Sequence, residues 1–287
     1  MKLSKILGKD IRSGDSASPP EAPAPPSPSG NASPPSEHLI KGELVERLEK
    51  CGATELVKHA RELTEVLEKN NLKSTVARVV LALDISGSMT GQYENGSVRE
   101  IINKTFPIAI QFSDNSKLEL WYYGSSSRRM APVGMENYRQ AVPEDWQSLM
   151  NDLGGGTSAP AVMRPIIEEF SKSRIPVYII FITDGAFDNS PETKDCLSRS
   201  QKGPLFWQFV GCGGSGYGIL EGIEKKSPNA SFFALDDIRT VSDADLYKRL
   251  LEKFTKWLEG QRVESPPANT ETPLANRLLS FLRKPKS

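Results

Sequence analysis

The chain has 287 residues, 38% of them hydrophobic, and its 36 basic and 36 acidic side chains cancel to a formal net charge of zero. That balance gives no electrostatic reason to expect nucleic acid as a partner, and the length allows one large domain with tails or two small ones. Cys51, Cys196 and Cys212 are odd in number and lack metal or redox spacing, which suits three separate thiols in a reducing compartment.

Residues 1–15 form a short basic amphipathic segment, with Leu3, Ile6 and Leu7 set against Lys2, Lys5, Lys9 and Arg12. It has no uninterrupted apolar stretch of the kind a secretory signal needs. Nor does any apolar run approach the roughly 18–20 residues that span a bilayer. The expected location is the cytoplasm. Residues 16–37 are dominated by Pro, Ser and Ala, cannot bury apolar surface, and are expected to be a disordered spacer.

Residues 38–73 are expected to be helical. Leu44, Val45 and Leu48 form one stripe, Cys51-Gly52 interrupts it, and Leu56, Ala60, Leu63 and Leu67 resume at helical spacing. The seam is too short for sustained heptads, so packing on the following domain is preferred to a dimerising coiled coil. Both histidines, His38 and His59, are expected to lie outside the core of that domain. A histidine triad or histidine-bound zinc within it is therefore excluded.

From Arg78 onward strand-like and helix-like segments alternate, as in a parallel sheet covered on both faces. Strands are predicted over 78–83, 117–123, 177–183, 205–210 and 231–235, with an antiparallel edge strand over 128–133. Helices are predicted over 98–112, kinked near Pro107, and over 137–150, 159–171, 191–199, 218–226 and 243–259. Ser242 offers the last helix an N-cap and Gly260 a stop. The expected class is α/β, a doubly wound, mostly parallel six-stranded sheet flanked by helices. Residues 261–287 read as a second linker and a basic amphipathic tail, with Leu274, Leu278, Leu279, Phe281 and Leu282 beside Arg277, Arg283, Lys284 and Lys286. The two basic ends suit a partner or an anionic membrane surface, but termini often simply fray, and membrane contact is not the favoured reading.

The chemistry concentrates at predicted strand ends. The apolar run Val79–Leu83 opens into Asp84-Ile85-Ser86-Gly87-Ser88, whose alternating oxygens can be aimed at one point. One carboxylate and two hydroxyls make a hard donor set suited to Mg²⁺ or Mn²⁺ rather than zinc. A second run ends in Thr183-Asp184-Gly185, and a glycine loop, Gly154-Gly155-Gly156-Thr157, lies between them. Ligands of open parallel sheets bind outside the carboxyl ends of strands, so Asp84, Ser86, Ser88, Thr157 and Asp184 can converge. Asp188, four residues past Asp184 in the same loop, is a rim residue or a solvated acid, the latter being preferred.

One motif competes. Gly211-Cys212-Gly213-Gly214-Ser215-Gly216 is G-x-G-x-x-G after a strand-like run, with Asp236 where a ribose-binding acid would sit. The fingerprint normally opens the first βα unit of its domain, whereas this one falls near the far edge of the sheet. Nucleotide binding is the alternative reading, together with metal-assisted hydrolysis. The latter lacks a visible general base.

D-x-S-x-S, a Thr in a glycine loop and a strand ending T-D-G together resemble the metal-ion-dependent adhesion site of von Willebrand factor A (VWA) domains. The resemblance covers about residues 76–260 and implies a Rossmann-like VWA fold. More narrowly, Gly91-Gln-Tyr-Glu-Asn-Gly-Ser-Val98, Phe206-Trp-Gln-Phe-Val-Gly211, Phe232-Phe-Ala-Leu-Asp-Asp237 and Asp243-Ala-Asp-Leu-Tyr247 resemble the VWA domain of bacterial tellurium-resistance proteins. The resemblance implies a cation, Mg²⁺ or Mn²⁺ with Ca²⁺ also acceptable, ligated directly by Ser86 and Ser88. Thr157 would bind directly or through water, and Asp84 and Asp184 through waters. An open position on the cation would take a Glu or Asp carboxylate from a partner protein. It further implies a stress-response interaction module, not an enzyme. The chain departs from longer members in lacking an acidic, calcium-binding companion domain, which puts tellurite resistance itself in question.

Overall fold

The computed structural model describes residues 41–264. The expected terminal amphipathic segments and the Pro/Ser/Ala-rich spacer lie outside the described residues. Two helices come first, α1 (Lys41–Lys50) and α2 (Thr54–Lys69), separated where Gly52 adopts a positive φ of 68°.

Six strands follow: β1 (Arg78–Asp84), β2 (Leu118–Tyr123), β3 (Ser127–Arg129), β4 (Val177–Thr183), β5 (Leu205–Cys212) and β6 (Ala230–Leu235). Their order in the sheet is β3-β2-β1-β4-β5-β6. All neighbours are parallel except the short edge strand β3, which runs antiparallel to β2. Between the strands lie α3 (Thr90–Glu94), α4 (Ser97–Phe112), α5 (Trp146–Leu153), α6 (Ala159–Phe170) and α7 (Ser190–Ser200), and α8 (Asp243–Glu264) closes the series.

β1 is buried along almost its whole length because both sheet faces are covered. Alternation along the strand divides it between two cores. Val79, Leu81 and Leu83 join the residues of α1, α2, α4 and α8. Val80 and Ala82 join those of α6 and α7 on the other face. The helical pair thus shares a core with the sheet: Leu56, Leu63 and Leu67 are essentially inaccessible, and α2 packs on α4 and α8. Successive connections reverse direction at β1, so the gap between the carboxyl ends of β1 and β4 is the switch point of the sheet.

Several boundaries differ from the sequence expectation, each for a local reason. The helix expected over 137–150 is instead a 3₁₀ turn (Tyr138–Gln140) followed by α5. Pro143 disfavours helical backbone at Val142 and so divides the two. The helix expected over 218–226 is two 3₁₀ turns separated by Gly222, whose φ is 77°. The edge strand is shorter than 128–133, since Pro132 offers no N–H, and pairing resumes as an isolated bridge between Val133 and Leu118. α4 runs through Pro107 without interruption. α8 continues through Gly260, so residues 261–264 are helical where a linker is expected; a helical Gly costs about 1 kcal/mol relative to Ala, which is too little to stop a helix alone. Ser242 does cap α8, its Oγ accepting the Asp245 N–H at 3.2 Å.

Candidate metal centre

Asp84 ends β1 with no exposed surface. Its Oδ1 accepts the Ser86 N–H at 2.8 Å. Its Oδ2 lies 3.1 Å from the Thr183 hydroxyl and 3.3 Å from the Tyr123 hydroxyl. The Tyr123 hydroxyl is closer to the Ile182 carbonyl, at 2.8 Å, and its single proton serves one acceptor at a time. Tyr93 donates to the Asp84 carbonyl at 2.8 Å. The strand register supplies these partners: Tyr123 pairs with Asp84 across β1 and β2, and Thr183 ends the neighbouring β4.

From this buried carboxylate a row of oxygens leads outward. Ser86 Oγ is 3.1 Å from Ser88 Oγ, and Ser88 donates to Asp184 Oδ1 at 2.9 Å. Ser86 is buried, Ser88 is exposed and Asp184 is half-buried. The glycine loop approaches the same turn, the Gly155 carbonyl accepting the Gly87 N–H at 3.2 Å. Thr157, half-buried in that loop, is held through its backbone. Its N–H donates to Asp188 Oδ2 at 2.8 Å, and its carbonyl accepts the Asp188 N–H at 3.1 Å. The structure thus joins Ser86, Ser88 and Asp184 side chain to side chain, with Asp84 bonded to the Ser86 backbone, and brings the Thr157 loop against them. Among the described residues the Thr157 hydroxyl forms no hydrogen bond with the row. Asp188 is exposed as expected, but its carboxylate is engaged with the glycine loop rather than solvated on all sides.

Two close approaches explain glycines in the surrounding walls. A Cβ on Gly124 would stand 2.2 Å from the Gly154 carbonyl oxygen, so that residue must be bare for the glycine loop to dock. A Cβ on Gly214 would stand 1.5 Å from the Asp184 carbonyl oxygen. The G-x-G-x-x-G motif is therefore a wall packed on the end of β4. It leads into a 3₁₀ turn rather than a helix N-terminus able to hold a phosphate.

Electrostatically the site is short of positive charge. Burial pushes the Asp84 carboxyl up to about 6; its contacts with Ser86 oppose the rise and the neighbouring Asp184 charge adds to it. Burial also raises Asp184, against the Ser88 hydrogen bond. Among the described residues no Lys, Arg or His forms an ion pair with either carboxylate. Two reluctant carboxylates beside hydroxyl oxygens fit a hard divalent cation, which would lower the cost of ionising both. No cluster of three or more His, Cys, Asp or Glu is placed to hold a metal among the described residues, so any ligand set here depends on hydroxyls.

The sequence reading missed Tyr93 and Tyr123, and treated Thr183 only as part of a motif. Register signals Tyr123 and Thr183, polar groups beside Asp84 on its two neighbouring strands, whereas Tyr93 reaches Asp84 from α3. His59 also departs from expectation. It lies before the sheet in sequence yet is buried, 2.7 Å from Asp243 Oδ2.

A mostly parallel α/β sheet with hydroxyl and carboxylate side chains gathered at its switch point defines the class. The family model for the vWA domain found in the TerF C terminus matches residues 76–265, and the chain belongs to that family. It is 34% identical over 219 residues to the uncharacterized protein YcbR of Bacillus subtilis (strain 168), covering 71% of this chain and 88% of that one. Among solved structures it is similar to proximal thread matrix protein 1 from the mussel byssus with a zinc-occupied MIDAS motif, at 13% identity and a TM-score of 0.49. That match covers 63% of this chain and 48% of the other, so the chain spans about half of that protein. The ArnB paralog VWA2 of Sulfolobus acidocaldarius is similar at 16% identity and a TM-score of 0.41, over 63% of this chain and 45% of that one. No described helix is long and apolar enough to cross a membrane.

Proposed function

We propose that the protein is a metal-dependent interaction module. Ser86, Ser88 and Thr157 would hold a divalent cation through their hydroxyls, with Asp84 and Asp184 fixing bound waters and supplying charge. When bound, the cation would offer an open coordination position to a Glu or Asp carboxylate of a partner protein. The observation that carries this reading is the oxygen row Ser86–Ser88–Asp184 beside buried Asp84, at the switch point and without a cationic side chain. Mg²⁺ or Mn²⁺ suits that set best, and Ca²⁺ is accommodated less well by so few carboxylates.

A non-enzymatic role is favoured by how the basic groups are used. His59, the one histidine among the described residues, is engaged with Asp243, and buried Lys104 with Asp243 and two carbonyls. Neither is available to the oxygen row as a general base. Kinship with the TerF vWA domain supports a cytoplasmic role in a bacterial tellurium-resistance or related stress response.

The test is isothermal titration of the full chain with Mg²⁺, Mn²⁺ and Ca²⁺, beside Asp84→Ala. Wild type should bind at one site and the variant should lose binding by at least about tenfold, the lower end for residues that orient metal ligands. Absence of binding by wild type, or equal binding by both, overturns the proposal.

A further inference from the structure

We propose that Asp188 is a positioning residue that sets Thr157 for the cation; the inference rests on the metal-site reading above. Thr157 follows three consecutive glycines, Gly154 with a φ of 76°, so its approach to the oxygen row is not fixed by local backbone preference. Three contacts hold the upstream part of the loop: the Gly154 carbonyl accepts the Ser125 N–H at 3.3 Å, the Gly155 carbonyl accepts the Gly87 N–H at 3.2 Å, and the Gly156 N–H donates to Ser125 Oγ at 3.2 Å. At Thr157 itself the restraint is reciprocal. Asp188 Oδ2 accepts the Thr157 N–H, and the Asp188 N–H donates to the Thr157 carbonyl. The plane before Thr157 is oriented by the Asp188 carboxylate, and the plane after it by the Asp188 N–H together with the Ser158 N–H, which donates to the Gly124 carbonyl at 3.0 Å, leaving the side-chain torsion as its remaining freedom.

Asp188 can serve this purpose although its side chain is exposed, because its backbone is anchored. Phe187, the preceding residue, is buried and stacks edge-on against Phe181 at 5.5 Å, with Phe209 at 6.1 Å. Thr193 in the first turn of α7 bonds the Asn189 carbonyl through both its N–H and its hydroxyl. Asp188 also belongs to the loop that starts with Asp184. The reciprocal pair therefore ties the loop carrying one candidate ligand to the loop carrying another. The glycine loop fits closely around the carboxylate: a Cβ on Gly156 would stand 3.0 Å from Asp188 Oδ2. A carboxylate accepting a backbone N–H is a charge-assisted bond of the stronger kind, and residues that orient metal ligands typically contribute 10–100-fold to metal affinity.

The experiment is Mn²⁺ and Mg²⁺ titration of the full chain as wild type, Asp188→Ala, Asp188→Asn, Thr157→Ala and the double variant Asp188→Ala with Thr157→Ala. Asp188→Ala should weaken binding about tenfold or more. Asp188→Asn keeps an oxygen acceptor for the Thr157 N–H and should restore affinity to within about threefold of wild type. In the Thr157→Ala background, Asp188→Ala should have no further effect, because the hydroxyl being positioned is already gone. An Asn variant as weak as Ala would make Asp188 a source of charge and overturn the inference. Additive losses in the double variant, or no loss in Asp188→Ala, would also overturn it. Failure of the underlying metal-site reading is distinguishable, since wild type itself would then not bind.

Discussion

Asp84 decides how the site behaves without metal. Its folded-state value of about 6 lies above the roughly 3.9 of an unfolded aspartate. The folded chain therefore binds the proton more tightly, and ionising Asp84 costs stability. That cost is absent below about pH 4, grows between about 4 and 6, and is fully present above about 6, where it amounts to about 3 kcal/mol. Asp84→Asn cannot ionise yet keeps an oxygen for the Ser86 N–H. In chelator, the variant should be more stable than wild type at about pH 8, with the advantage vanishing towards about pH 4. Urea unfolding of both proteins at several pH values checks this, and a pH-independent difference would contradict it. Comparing the two also cancels Asp243, which works in the opposite sense. Burial alone would raise the Asp243 carboxyl, but the hydrogen bonds and charges of His59 and Lys104 hold it below the usual range. Sequence alone nominated Asp84, Ser86, Ser88 and Asp184 because their oxygens sit where apolar runs end, and Thr157 because it follows a glycine loop. It could not show Tyr93, Tyr123 or the engagement of Asp188, since those depend on which strands and loops become neighbours.

At the scale of elements, parallel strands were legible because double-sided burial demands unbroken apolar runs, as in Val177–Thr183. The short turns were not, because Pro143 and Gly222 act on segments whose apolar spacing still looks helical. The junction of α2, α4 and α8 was also hidden. There His59 from α2 meets Asp243, the first residue of α8, while Lys104 from α4 lies 3.1 Å from Asp243 Oδ1 and donates to the Ile238 and Val241 carbonyls. Glu100 stands 3.7 Å from both His59 Nε2 and Lys104 Nζ. A buried ammonium that loses its carboxylate is costly, whereas replacing both members of a pair with apolar groups is often tolerated. Asp243→Ala should therefore lower unfolding free energy by about 3 kcal/mol, and adding Lys104→Met should restore at least about half of it. Denaturant titration reads both. A single-variant loss under about 1 kcal/mol would mean the cluster behaves like a surface pair.

For the whole molecule, the question is where the folding unit begins. The family model starts at residue 76, and the sequence reading gave residues 38–73 as a helical segment packing on the domain that follows. The core does not respect that boundary. Leu44, Leu48, Leu56, Leu63 and Leu67 are buried in the same cluster as Ile101, Ile108, Leu250 and Phe254. The amphipathic stripe and its packing on the following domain were legible from spacing, but the elements it covers were not, because α4 and α8 are distant in sequence and only the fold brings them under α2. Polar contacts at the rim add to the apolar ones: Glu55 on α2 accepts from Tyr138 and Arg139. Each large aliphatic side chain buried there contributes about 1.5–3 kcal/mol, a large share of the roughly 5–15 kcal/mol by which domains are stable. A chain beginning at residue 76 should thus expose apolar faces of α4 and α8. We predict that it melts at least about 10 °C below a chain beginning at residue 41, and that it binds a hydrophobic dye or self-associates where the longer chain does not. The oxygen row lies at the carboxyl end of the sheet and takes no side chain from α1 or α2, so any shortened chain that remains folded should keep its Mg²⁺ affinity. Equal melting of the two chains would show that the helical pair is an accessory laid on a self-sufficient sheet.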